Sequence, residues 1–261
     1  MKQPWSGYAR FGAAGKAGAA IARLLDLIWP PLSPLSGRAV SEPGLLDPED
    51  WARIQFLAPP WCKSCGIPFA YPSAPDMICP ACHARAPTYT SARSAFVYDA
   101  SSRALALGLK HAGRTDGLEA FGRWMARAGA DCLDGADVLI PVPLHARRLR
   151  QRRFNQSLLL ARAVSRASGV PVDPHMLMRV RATPTQGGLS AGGRTRNVAG
   201  AFRVRSGHAD AVKGRRLVLI DDVHTTGATL EACARTLNRA GAADVRAITL
   251  ARVVKPVNLI K

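Results

Sequence analysis

The sequence predicts an α/β fold: a parallel sheet with helices on both faces, preceded by a small cysteine-bound module. Three observations predict it. From Arg93 onward, strand-like apolar runs alternate with helical patterns, as in a parallel sheet crossed by helices. Within that half, an apolar run from Leu217 to Ile220 stops at Asp221 and Asp222. A polar loop follows (Thr225-Thr226-Gly227-Ala228-Thr229), then a helical pattern: a buried strand, a turn and a helix N-terminus. Upstream, two Cys-x2-Cys pairs flank a Pro-rich stretch. With 261 residues, 48% of them hydrophobic, the chain can bury one good core and carry a small appended module.

Residues 1–58 read as a lead-in helix followed by a Pro/Gly-rich module. The apolar pattern from Ala17 to Trp29 is broken by Arg23 and Asp26 and is too short to span a membrane. No small-residue cleavage site follows a clean apolar core, so no secretory signal is expected and the protein is read as cytoplasmic. Arg10, Lys16 and Arg23 on an alanine-rich helix could suit a membrane surface or a mitochondrial address; an amphipathic lead-in helix is the preferred reading. Further on, Ser33-x2-Ser36-Gly37 precedes Asp47-x2-Asp50-Trp51. The spacing echoes Cys62-x2-Cys65-Gly66 preceding Cys79-x2-Cys82-His83. Serine is a poor metal ligand, so this stretch is read as a degenerate ribbon that keeps its turns and has lost its metal, with coincidence as the alternative.

Residues 59–90 form the second module. Cys62, Cys65, Cys79 and Cys82 have the spacing of a tetrahedral zinc ribbon. Four thiolates close the shell of a borderline-soft metal, which makes the site structural; a reducing cytoplasm disfavours the alternative of two disulfides. Gly66 frees the backbone for the knuckle turn. His83 is read as a bystander, and Cys132 and Cys233 as core residues.

Residues 91–261 form the α/β domain. Helices are predicted at Ser102–His111, Leu118–Ala130, Gln156–Ser168 and Thr229–Ala240, and strands at Val138–Val142, Phe202–Val204, Leu217–Asp221 and Val245–Ala251. Ligands of such sheets bind at the carboxyl ends of the strands, where Asp221 and Asp222 fall. Paired acids there can accept hydrogen bonds from a ribose diol. The loop offers backbone N–H groups and threonine hydroxyls to a phosphate, Gly227 permits close approach, and the helix dipole favours an anion. No lysine closes the loop, so a Walker-type triphosphate site is not expected.

Two further motifs accompany this one. Pro141-Val142-Pro143-Leu144-His145 is followed by Arg147, Arg148, Arg150, Arg152 and Arg153 and then Phe154-Asn155-Gln156-Ser157. In a ribose-phosphate site such a run would face the pyrophosphate, since guanidinium groups pair bidentately with phosphate oxygens; taken alone, it is usually a solvated helix face or a nucleic-acid patch. The stretch from Arg181 to Phe202 (Pro184-Thr185-Gln186, Leu189-Ser190, Arg194, Asn197) reads as a polar, glycine-rich surface loop of the kind that closes over sites.

VLIDDVHTTGAT resembles the phosphoribosyl pyrophosphate (PRPP) signature of type I phosphoribosyltransferases. Together with PVPLHARRLRQRRFNQS and TPTQGGLSAGGRTRNVAGAF behind a zinc ribbon, it resembles the ComF family of competence-associated phosphoribosyltransferase-like proteins, which includes the ComFC and GntX groups. The resemblance covers roughly residues 27–252. It implies a type I phosphoribosyltransferase-like sheet and PRPP bound with Mg²⁺, with Asp221 and Asp222 on the ribose hydroxyls. It also implies that Thr225, Thr226, Gly227, Ala228 and Thr229 hold the 5-phosphate and that Arg147, Arg148 and Arg150 are candidates for pyrophosphate. The chain departs from the family at two places. Ser33, Ser36, Asp47 and Asp50 stand where a first ribbon has cysteines, and Arg153 stands where glycine usually precedes Phe-Asn-Gln.

A net charge of +18, mostly from arginine, suits nucleic acid, pyrophosphate, an acidic membrane surface or an acidic protein, and is also found in arginine-rich proteomes. The reading is a PRPP-binding phosphoribosyltransferase-like protein; if it is catalytic, it transfers ribose 5-phosphate to an unidentified acceptor with release of pyrophosphate. The rival is a non-enzymatic factor handling single-stranded DNA with the competence machinery. Ribbon and charge favour the rival, while an aromatic content of 6% disfavours a base-stacking platform.

Overall fold

The computed structural model describes residues 30–42, 44–109, 117–182 and 191–254. The predicted lead-in helix, the end of the predicted Ser102–His111 helix and residues 183–190 of the third motif lie outside them. The central sheet is built from β1 (Ala92–Val97), β2 (Val138–Pro141), β5 (Arg216–His224) and β6 (Asp244–Arg252), ordered β1-β6-β5-β2 with every pairing parallel. A two-stranded antiparallel ribbon, β3 (Leu177–Arg179) with β4 (Phe202–Val204), lies beside it.

Helices cover both faces, as predicted. On one face α4 (Leu118–Ala128) and α7 (Gln156–Ser168) bring Phe121, Met125, Leu160 and Val164 onto Phe96, Leu139, Val218, Ile220 and Ile248. On the other, the short α9 (Ala209–Val212) adds Val212, and α10 (Ala228–Arg239) brings Leu230, Cys233, Ala234 and Leu237 onto Ile140, Leu217, Leu219, Val245 and Ala247. β5 therefore alternates its side chains between two cores, the period-two pattern of a strand buried on both sides. Cys132 and Cys233 are core residues, as read from the sequence. The helices α4 and α7 approach closely because Gly122 has no side chain; a Cβ there would lie 2.5 Å from the Ala163 carbonyl oxygen.

Several boundaries differ from the sequence reading. β5 runs three residues past Asp221, because backbone pairing with β6 continues through Val223–Ala251 and His224–Arg252. The predicted Leu118–Ala130 helix stops at Ala128 and is followed by a separate turn of helix, α5 (Ala130–Leu133). The first helix of the domain, α3, is the shorter Arg103–Gly108. β1 was not predicted: Arg93 and Ser94 interrupt its apolar run, yet both are buried, Arg93 paired with Asp131 at 2.6 Å and Ser94 hydrogen-bonded to Thr249 at 2.7 Å. The arginine run forms α6 (Ala146–Arg152), and the second half of the third motif is a helix, α8 (Ala191–Val198), where a loop was expected. Its Val198 is buried in the α10 core, and that burial overrides the low helix propensity of a glycine-rich segment.

Before the sheet come α1 (Pro48–Arg53) and α2 (Pro80–Ala84), each opening the second half of a small module. The two modules share a hydrogen-bonding plan. Gly37 donates to the Ser33 carbonyl as Gly66 donates to that of Cys62. Trp51 donates to the Asp47 carbonyl as His83 donates to that of Cys79. Trp51 packs with Phe56 and Trp124, so the first module rests on the outer side of α4.

Candidate functional site

The carboxyl ends of β2 and β5 lie side by side, Pro141 paired with Ile220, and the site grows from them. Asp221 and Asp222 are the next residues of β5. Asp221 Oδ1 accepts from Ser157 Oγ at 3.0 Å and from the Asp222 amide at 2.9 Å; Asp222 Oδ1 accepts from the Val223 amide at 2.7 Å. Asp222 is buried and Asp221 half-buried. Ser157 is in place because Asn155 caps α7: its Oδ1 accepts from the Ser157 amide at 3.1 Å, while its Nδ2 donates to the Val142 carbonyl at 3.1 Å. The Phe-Asn-Gln-Ser segment thus ties the end of β2 to the aspartate pair, a role its residue types alone do not disclose.

After His224 the chain turns through half-buried Thr225 and exposed Thr226 to Gly227, which takes φ +75° and opens α10. Glycine is required there twice over: the left-handed backbone disfavours a side chain, and a Cβ would lie 2.8 Å from His224 Nε2. No side chain caps α10. That is the arrangement in which first-turn amides and the helix dipole can receive an anion.

The arginines separate by position. Arg147 and Arg150 are exposed on α6, while Arg148 is half-buried. His145 caps the helix, its ring accepting from the Arg147 amide at 3.2 Å. Burial, and then neighbouring Arg152, push the Arg148 guanidinium below its ordinary range. Arg179, on β3, was not singled out from the sequence. Burial and Arg148 lower it while Asp221 raises it, so Arg148, Arg179 and Asp221 share one electrostatic environment. Arg179 also lies over the Phe202 ring at 5.2 Å.

Cys62, Cys65, Cys79 and Cys82 converge, with all four sulfurs within 4.8 Å of one another. Cys65 and Cys79 Sγ are 3.8 Å apart, and the amides of Cys65 and Cys79 point at Cys62 Sγ at 3.5 and 3.3 Å. A tetrahedral shell with metal–sulfur bonds of about 2.3 Å sets sulfurs about 3.8 Å apart, so the donor set fits a structural metal ion. Gly66, φ +71°, brings this module against β1, where a Cβ would meet the Ala92 carbonyl oxygen at 2.3 Å.

In the first module Ser33 Oγ donates to Asp50 Oδ2 at 2.5 Å, Ser36 Oγ to Asp47 Oδ2 at 2.5 Å, and the Ser36 amide to Asp50 Oδ2 at 3.0 Å. The Ser36 hydroxyl, with the amides of Asp50 and Glu49 behind it, holds the Asp47 carboxyl down to about 2.

Two residues that the sequence reading passed over join the cysteines to the phosphate-type loop. Arg252 ends β6 and His224 ends β5; both are buried. Arg252 Nη1 donates to the Cys65 carbonyl and to His224 Nδ1, the latter at 2.9 Å, and Nη2 donates to Cys65 Sγ at 3.4 Å. Burial, and then Arg252, push the His224 imidazole down to about 3, so it is neutral.

A model of the phosphoribosyl transferase domain matches residues 155–257. DNA utilization protein YhgH of Salmonella typhimurium is 37% identical over 199 residues, covering 74% of this chain and 84% of that protein. Competence protein F of Haemophilus influenzae is 37% identical over 44% of this chain and 50% of that protein. Competence protein ComFC of Bacillus subtilis is 36% identical over 44% of each. Among the described residues no helix is long and apolar enough to cross a membrane.

Proposed function

The chain belongs to the ComF family of phosphoribosyltransferase-like proteins, and from that membership we propose that it binds PRPP and transfers ribose 5-phosphate to an acceptor with release of pyrophosphate. One observation carries the reading: two adjacent carboxylates lie near the carboxyl end of a buried parallel strand, and a short threonine turn leads from that strand to a glycine-opened, uncapped helix. That pairing offers charged acceptors for a diol beside a receptor for a phosphate.

In this reading Asp221 and Asp222 accept hydrogen bonds from the ribose hydroxyls. Ser157 fixes the Asp221 rotamer. Thr225, Thr226, Gly227, Ala228 and Thr229 hold the 5-phosphate. Arg148 faces the pyrophosphate, and Arg147 and Arg150 lend long-range charge. During transfer the bond from the anomeric carbon to the pyrophosphate oxygen breaks, and its electron pair leaves with pyrophosphate. The acceptor's lone pair then forms the new bond. Fixed positive charge beside the leaving group stabilises the charge it gains. Apart from the four cysteines, no set of three or more metal-ligating side chains gathers among the described residues. Mg²⁺ would therefore come with the pyrophosphate, supplying further positive charge there.

Zinc is the metal we assign to Cys62, Cys65, Cys79 and Cys82, since four thiolates at this spacing suit it. We assign the chain to the cytoplasm, where its six unpaired cysteines stay reduced. We divide it at 1–58, 59–90 and 91–261. In the first segment the Ser33–Asp50 and Ser36–Asp47 hydrogen bonds stand where a metal would close the module.

The test is titration with PRPP and Mg²⁺ beside titration with a single-stranded oligonucleotide, each over a salt series. PRPP binding at micromolar to low millimolar concentration is expected. Steeply salt-dependent oligonucleotide binding with no PRPP binding at millimolar concentration would replace this reading with the DNA-handling one.

A further inference from the structure

Arg252 holds a buried charge with no carboxylate in salt-bridge reach among the described residues; its side-chain hydrogen bonds go to the Cys65 carbonyl, Cys65 Sγ and His224 Nδ1. A buried unpaired cation is costly. Four thiolates around one divalent ion carry net negative charge, so a metal-loaded cluster supplies the counter-charge, and the Nη2–H···Sγ contact is the kind of outer hydrogen bond that orients a metal-bound thiolate. On its other side Arg252 has only donors to offer, so His224 Nδ1 accepts and the ring proton sits on Nε2. That nitrogen lies beneath Gly227, close enough that a Cβ there would approach it to 2.8 Å. Tyr89 closes the same space: its ring stands edge-on to His224 with centroids 6.3 Å apart, and its hydroxyl is 3.5 Å from the Gly227 Cβ position. A second tether runs parallel. The Thr88 amide donates to Glu231 on α10 at 3.0 Å, and Asn238 donates back to the Thr88 carbonyl at 2.8 Å.

We propose that Arg252 is a positioning residue that couples metal occupancy of the cysteine ribbon to the conformation of the Thr225–Thr229 loop, acting through the His224 ring on which Gly227 rests. The ribbon is then a support for the loop as well as a fold element. Losing the metal removes the counter-charge of Arg252, frees His224 and loosens the loop. The consequence for PRPP rests on the reading of residues 225–229 as a phosphate loop; the mechanical link does not.

Hydrogen exchange on the full chain separates the two. The amides that hydrogen-bond to the loop and its hinge, Glu231 to the Gly227 carbonyl and Val253 to that of His224, serve as the loop amides and are compared with those of residues 217–220 in the same molecule, for the zinc-loaded protein, the zinc-stripped protein, and zinc-loaded Arg252→Lys and His224→Asn. Lysine keeps the charge beside the thiolates but cannot bridge them to Nδ1, and asparagine removes the ring under Gly227. Loop amides should exchange roughly ten-fold faster in all three altered states while those of 217–220 keep their protection. The proposal is overturned if the loop is unchanged in both variants. It is equally overturned if the loop opens only together with 217–220 in every altered state, since the effect is then global stability. Calorimetry with PRPP and Mg²⁺ on the same samples should show weaker binding in step with loop opening. If wild type binds no PRPP, the functional reading fails while the exchange data still decide the link.

Discussion

At the scale of single residues, the departures of this chain from its family have physical content. Arg153 ends α6 with φ +65°, the one non-glycine residue with positive φ among those described. A side chain in that region costs about 1–2 kcal/mol, part of which glycine gives back as chain entropy. Arg153→Gly should therefore raise stability by about 1 kcal/mol, read as a small upward shift in the denaturant midpoint at constant slope; a loss of stability would mean that the arginine makes a contact worth more than the strain. Ser33, Ser36, Asp47 and Asp50 replace a metal shell by hydroxyl-to-carboxylate hydrogen bonds. Because the Asp47 carboxyl is held down to about 2 in the folded protein, its contribution is present above the unfolded value near 4 and is lost as pH falls from about 4 to about 2. Ser36→Ala removes the hydroxyl that holds it, and should shrink that acid-sensitive part of the stability curve.

At the scale of elements, legibility in the sequence followed burial pattern. α7 was read to the residue because Leu160, Ala161 and Val164 repeat on one face and Gly169 ends it at φ +77°. β1 was hidden because its buried polar groups find partners distant in sequence, Ser94 on β6 and Arg93 in α5, which no local pattern records. α6 carries no buried residue, so its arginines gave no helical stripe. The acids of β5 looked like the end of a strand because acids rarely lie inside one, whereas pairing with β6 carries the strand on to His224. The cysteine cluster and the Asp-Asp-x3-Thr-Gly loop were legible because their residue types are their chemistry. Ser157, His224 and Arg252 were not, since their roles depend on neighbours distant in sequence; Arg252 and Cys65 are 187 residues apart. The α4–α7 contact gives a direct test of packing at this scale. Gly122→Ala would drive a methyl into the Ala163 backbone, and overpacking of this kind costs about 1–3 kcal/mol. Thermal unfolding should show that loss with site chemistry untouched; a stable variant would mean that the helices can part freely.

At the scale of the whole molecule, two small modules of one hydrogen-bonding plan lie before an α/β domain, one closed by cysteines and the other by carboxylates. Metal analysis of reduced, chelator-free protein should find about one zinc per chain; about two would mean the first module also binds, and none would remove the ribbon reading. Chelation should strip exchange protection from the Gly66 and His83 amides and leave their counterparts, Gly37 and Trp51, protected. The second module docks onto β1 and β6 through Arg93 and Arg252, so its integrity bears on the sheet end where the aspartates lie. That sheet end carries the central claim, and Asp221→Asn with Asp222→Asn tests it most directly. The double substitution keeps shape and removes charge, and each charge-assisted hydrogen bond is worth roughly 1.5–3 kcal/mol. Calorimetry with PRPP and Mg²⁺, on protein shown by thermal unfolding to remain folded, should find affinity reduced about ten-fold or more for each bond lost. Equal binding by wild type and the double variant would contradict the placement of the ribose at Asp221 and Asp222.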